Sequence, residues 1–284
     1  MARGRGLLKS GLKAGVAMLL VLSVSACGMF GDRDEVPLEQ QEAQPIFEQA
    51  EARLENDRPD RAAELFLEVE RLHPYSEWAQ RALIMAAYSF HQDRDYENSR
   101  AAAQRFLDFY PAAEDAAYAQ YLLALSYYDQ IDQIGRDQGL TYQALQALRV
   151  VIERYPDSEY AASAILKFDL AFDHLAAKEM EIGRYYLRRE NYTAAINRFR
   201  VVVEEFQTTS HTPEALLRLV EAYLALGLPQ EAQTAAAILG HNFQASPFYD
   251  DAFRLLNDME LAPEATGEGW LRDVWRQTIR GAWL

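Results

Sequence analysis

The chain has 284 residues, with 28 Lys+Arg against 43 Asp+Glu and a formal net charge of −15. That balance leaves no basic stripe to neutralise phosphates, which excludes nucleic acid as a partner. A single Cys excludes a disulfide framework.

Residues 1–26 read as a secretory signal. Arg3, Arg5, Lys9 and Lys13 precede an apolar run from Ala14 to Val24, and the small residues Ser25 and Ala26 precede the only Cys, Cys27. The run is too short for a membrane span of ~20 residues. Val24-Ser25-Ala26-Cys27 fits a lipobox: an aliphatic residue, two small ones, then the thiol that receives diacylglycerol. Cys27 is therefore the expected lipidation site, and its covalent lipid is the only non-protein group expected, with no other cofactor and no metal. Each buried CH2 of such an anchor contributes ~0.8 kcal/mol. Removal of the signal takes four basic residues with it, leaving 24 against 43 acids, a balance of −19.

Residues 27–44 are polar and acidic, with Pro37, and read as a lipidated tether. Residues 45–257 are rich in Ala, Leu, Glu, Gln and Arg, without strand alternation. A turn recurs in them, at Pro74, Pro111, Pro156, Gln207 and Gln244, spaced by 37, 45, 51 and 37 residues. Such a period predicts helix-turn-helix repeats of the tetratricopeptide class. The class requires a small residue twelve positions before each turn, and Ala62, Ser99, Ala144, Ala195 and Ala232 supply it. Phe66, Leu148 and Phe199 are the bulky residues wanted eight before; Ala103 and Ala236 depart from that. The aromatic wanted twenty-one before is present as Phe90, Tyr186 and Tyr223, whereas repeat one has Arg53. The expected fold class is all-α: a solenoid of about five repeats. The longer spacings predict a loop near Asp129–Leu140, and an extra helix or one long kinked helix between Ser158 and Glu190.

Residues 258–284 differ. Pro263, Gly267 and Gly269 mark a linker, and the segment from Trp270 holds three of the four Trp. Leu271, Trp275, Thr278, Ile279 and Ala282 share one face of an amphipathic helix, and Arg272, Arg276 and Arg280 another. Docking on a partner protein is the first expectation. Folding back as a cap, or lying on a membrane surface, are the alternatives.

No catalytic constellation is present. Five His lack partners at ligand spacing, and no His-Glu-x-x-His, Gly-x-Ser-x-Gly or phosphate-binding loop occurs. The chain is expected not to be an enzyme. A solenoid offers a concave groove instead. The repeat register puts Phe47 and Glu51, then Arg81, Tyr88, His91 and Gln92, then Tyr118, Tyr121 and Tyr128 along it. Such a groove suits an extended peptide, while packing between helices is an equally open reading for each ring.

The stretch from Leu175 to Phe199, with Glu179, the pair Tyr185-Tyr186 and Asn197-Arg198, resembles the BamD family of tetratricopeptide-repeat lipoproteins. The first-repeat turn and Gly135-Arg136-Asp137 match as well, and the likeness covers roughly residues 1–257. The resemblance implies a subunit of the outer membrane β-barrel assembly machinery, lipid-anchored on the periplasmic face. The implied partners are the periplasmic domains of a BamA-type insertase, other Bam lipoproteins, and unfolded outer membrane proteins received by the N-terminal repeats. Arg198 matches the family's insertase-contacting Arg. Gly28, a non-Asp residue after the lipobox, fits passage to the outer membrane. The alternative function is a tetratricopeptide scaffold lipoprotein for cell-wall enzymes or pilus assembly.

Overall fold

Repeated local signals set where each helix starts and stops. The computed structural model describes residues 37–132, 137–266 and 269–283, and among them every regular element is helical. A 3-10 turn, Leu38–Gln40, leads into α1 (Ala43–Glu55) and α2 (Pro59–Leu72). There follow α3 (Glu77–Gln92), α4 (Tyr96–Phe109), α5 (Ala116–Tyr128) and α6 (Gly139–Arg154). Then come α7 (Ala161–Arg188), α8 (Tyr192–Glu205), α9 (Thr212–Ala225) and α10 (Pro229–Asn242). The chain closes with α11 (Pro247–Asn257) and α12 (Trp270–Ile279).

Helices α1 to α10 form five antiparallel pairs, each packed on the next. Within four pairs the first helix ends on a left-handed residue: Asp57, Arg94, Glu190 and Gly227. The next residue's N–H reaches back to the carbonyl of Arg53, Phe90, Tyr186 or Tyr223, closing the last turn. Glu260 ends α11 in the same way through Leu261 N–H to Leu256. Helix α11 thus ends as the first helix of a pair does, and the next described helix is α12. Second helices start on Asp95 or Asn191, whose carboxylate or amide oxygen accepts the N–H of Asn98 or Ala194, or on Pro59 or Pro229.

The five small residues sit where the paired helices touch: Ala62, Ser99, Ala144, Ala195 and Ala232 are all fully buried. So are the residues four positions on: Phe66, Ala103, Leu148, Phe199 and Ala236. Ser99 resolves its buried hydroxyl by donating to the carbonyl of Ala87 at 2.9 Å.

Among the described residues the third pair shows no such left-handed turn, and its helices are separated by residues 129–138. Between turns three and four stands one continuous helix of 28 residues, α7. Its first half packs beside α5 and α6, through Tyr121, Tyr128 and Leu148 with Ala164 and Phe168. Its second half is the first helix of pair four.

The C-terminal helix folds back on the chain's own repeats, so the expectation of a free docking helix is corrected. Leu271, Val274 and Trp283 are buried against the last two pairs. Trp270 Nε1 donates to the Tyr223 hydroxyl at 3.1 Å, and Trp283 Nε1 to the Val203 carbonyl at 3.1 Å. The ring of Trp275 meets His241 edge-on at 5.7 Å, and the Arg200 guanidinium lies over Trp270 at 5.1 Å. The segment straps α8 to α10. An apolar face of that width gains more by covering repeats already joined to it than by waiting in water.

Candidate functional site

Cys27 lies outside the described residues, as do Gly28, Gly135 and Arg136. The sequence-derived groove residues are all described, and the structure divides them.

Phe47 does not line a groove. It is 1 % exposed, edge-on to Phe66 at 5.1 Å and tilted against Trp78 at 5.0 Å. Its ring turns into the core shared by α1, α2 and α3. Arg81 takes the surface position instead. Its guanidinium covers the Phe47 and Trp78 rings at 5.1 and 5.0 Å, keeping the charge in water above an aromatic floor. His91 is largely buried, edge-on to Tyr96 at 5.4 Å. Its Nε2 lies 3.0 Å from Asp129 Oδ2 without hydrogen-bond alignment.

The tyrosines converge on a residue in the connection after Pro156. Tyr160, just before α7, lies 5.1 Å from Tyr118 and 5.3 Å from Tyr121, the latter pair stacked. Tyr121 is 9 % exposed and shares a 2.7 Å hydrogen bond with Ser163. It belongs to the packing between α5 and α7. Tyr118 and Tyr88 are half-buried and close the cluster. Burial holds the Tyr118 phenol well above its ordinary value, and the neighbouring Tyr88, Tyr160 and Tyr121 phenols add to this. Burial, with the Glu159 carboxylate beside it, pushes Tyr160 up to about 12. Tyr118 and Tyr160 therefore stay neutral and carry O–H donors, not anions. Tyr128 stands apart. Lys167 Nζ sits 5.6 Å over its ring, and it lines a cavity of about 260 Å3 with Ile131, Leu170 and His174.

Farther along, the character of the surface changes from aromatic to ionic. Arg184 Nη1 donates to Glu214 at 2.9 Å, and Arg218 joins Glu214 to Glu221. On α8, Arg198 Nη1 donates to both oxygens of Glu179, at 3.0 and 3.4 Å. Glu179 is 19 % exposed and Arg198 42 %. A half-sunk carboxylate thus holds a guanidinium that remains partly exposed, and a guanidinium has donors enough for more than one carboxylate. Among the described residues no group of three His, Cys, Asp or Glu could hold a metal ion, and no helix is long and apolar enough to cross a membrane.

Comparison with known proteins covers both surfaces. Residues 39–238 match the family model YfiO, described as an outer membrane lipoprotein. The chain is 46% identical over 247 residues to the outer membrane protein assembly factor BamD of Caulobacter vibrioides, covering 87% of this chain and 81% of that one. It is 42% identical over 207 residues to BamD of Rickettsia prowazekii, covering 73% and 82%. Among solved structures it is similar to PilW, a type IV pilus biogenesis factor, at 13% identity and a TM-score of 0.34, covering 74% and 97%. That likeness is slight, and the fold rests on the helix pairing itself. The matched span runs from the 3-10 turn into α10 and takes in the tyrosine cluster and the Arg198–Glu179 pair. The chain belongs to the BamD family of outer membrane protein assembly factors.

Proposed function

We propose that this assembly factor works without catalysis, as a lipid-anchored adaptor on the periplasmic face of the outer membrane. Cys27 carries the lipid. Repeats four and five hold the periplasmic domains of a BamA-type insertase, and the N-terminal repeats receive unfolded outer membrane proteins for insertion. Other Bam lipoproteins share the complex.

The observation that supports this best is the Arg198–Glu179 pair. Its guanidinium is oriented and half-exposed on a rigid helix pair, which suits docking against an acidic partner residue. For the substrate end, the repeats offer an exposed cation at Arg81, half-buried rings at Tyr88 and Tyr118, and a neutral hydroxyl on Tyr118. An extended peptide with a free carboxylate and aromatic side chains fits that chemistry.

The test is association of the purified full chain with the insertase's periplasmic region, followed by calorimetry. Binding that falls at least tenfold in Arg198→Glu, with the thermal midpoint kept, supports the reading. No binding by the native chain, or binding indifferent to Arg198→Glu, overturns it.

A further inference from the structure

Lysine is rare in this acidic chain. Beyond Lys13 in the signal, only Lys167 and Lys178 occur, and both stand on α7. By the 3.6-residue period Ser163, Lys167, Ala171, His174 and Lys178 share one row of that helix. The row faces α5 at its start: Ser163 shares a 2.7 Å hydrogen bond with Tyr121, and Lys167 Nζ lies 5.6 Å over the Tyr128 ring. No acid falls in the row between these five positions. Asp169 and Asp173 fall on the opposite side, where Asp173 is bonded to Ser210 and His211. The next position of the row is the exposed Glu181.

The two lysines bracket the cavity of about 260 Å3, whose α7 wall is Leu170, Ala171 and His174 and whose other wall is Tyr128 and Ile131. Lys167 belongs to its rim, because the ring it covers is part of the wall, and the only hydrogen bond it donates is to the Ser163 hydroxyl at 3.4 Å. Lys178 stands one turn beyond His174. Neither lysine is paired with an acid among the described residues. The His174 ring is held in place: its Nδ1 lies 3.2 Å from Gln138 Oε1, an oxygen that also accepts the Thr141 hydroxyl at 3.2 Å. Asp132 is the one acid of the lining, and it has a partner of its own.

We propose that this cavity binds an organic carboxylate. A compact apolar body sits between Tyr128, Ile131, Leu170 and Ala171, and its charge lies at the Lys167 ammonium, with Lys178 adding to the positive potential from the far side of His174. An uncharged apolar ligand leaves both cations without a counter-charge. A dianion is disfavoured, because Asp132 borders the same space and the chain as a whole carries −15. A single carboxylate on an apolar stem meets both constraints. Two sources share that chemistry, a free organic acid and the last residue of a polypeptide. The inference stands independently of which insertase the protein serves and of the Arg81 surface.

The probe is 3-phenylpropionate, titrated by NMR against the full chain in a nonionic detergent, with 3-phenylpropionamide as its uncharged counterpart. Saturable binding of the acid is expected, with the amide at least fivefold weaker. Lys167→Gln with Lys178→Gln should bring the acid down to the level of the amide. Neither lysine belongs to the core, so the double variant should keep the native thermal midpoint. A second arm titrates a tetrapeptide that ends in phenylalanine with a free carboxylate. Tighter binding than the free acid supports the site with a chain end as its ligand, and equal or weaker binding supports it with a free acid. No binding of 3-phenylpropionate, equal binding of acid and amide, or equal binding of the acid by native chain and double variant overturns the site.

Discussion

Gly183 on α7 lies directly against the ring of Phe199 on α8: a methyl group at position 183 would sit 2.8 Å from both Cδ1 and Cζ of that ring. Phe199 is fully buried and has nowhere to retreat. In an isolated helix Ala is favoured over Gly by ~1 kcal/mol. Overpacking a tight core costs ~1–3 kcal/mol. Gly183→Ala should therefore destabilise the chain by up to about 2 kcal/mol in urea unfolding. Adding Phe199→Leu should recover part of that loss, and strict additivity of the two changes would contradict the close approach.

Arg198 and Glu179 separate stability from docking. Arg198 keeps 42 % of its side chain in solvent, and ion pairs screened by water contribute ~0–1 kcal/mol. Glu179→Gln should leave the thermal midpoint nearly unchanged. It should still lower insertase affinity severalfold by calorimetry, because the guanidinium loses its aim. An unchanged affinity would show that Glu179 does not orient the contact.

The tyrosine cluster sets an alkaline limit. Tyr160 is pushed up to about 12 and Tyr118 is raised in the same direction from an ordinary value of 10.0. The folded state thus retains protons that the unfolded chain has released. The stabilisation is complete below pH 10 and is lost as pH climbs from 10 through about 12. Unfolding midpoints measured across that window should fall steeply, and Tyr160→Phe should flatten the fall. Phenolate absorbance should show the same ring titrating late.

The Trp strap contributes to the stability of the last repeats. Trp283 is 4 % exposed and hydrogen-bonded to Val203. Its replacement by Ala should cost about 3 kcal/mol, within the range for buried aromatic residues. Hydrogen exchange should locate the loss in α8, α10 and α12, leaving α1 to α4 protected as before. Loss spread evenly over all pairs would contradict a local strap.

The repeat register was readable because each critical position tests one physical demand. A side chain larger than Ala or Ser at 62, 99, 144, 195 or 232 would hold paired helices apart, and no such side chain occurs. The unbroken α7 was half-readable. Its sequence has no Pro and one Gly, and Gly183 serves helix packing without breaking the helix. Phe47 was misplaced because the register gives only a helix face, and the Phe66 and Trp78 rings draw its side chain into the core. Tyr160 escaped notice because its position belongs to a turn, while its ring belongs to the next helix's neighbourhood. Amphipathicity marked the buried face of α12 without saying that α8 and α10 would cover it, since a periodic pattern is blind to distant partners.

A helix of 28 residues is about 42 Å long. It has Tyr160 just before its first residue and Glu179 within its last third. The tyrosine cluster and the Arg198 surface are thus fixed to one rod. Tilting that rod moves both at once, in opposite senses about its middle. A rigid-body tilt imposed at one end would therefore reach the other.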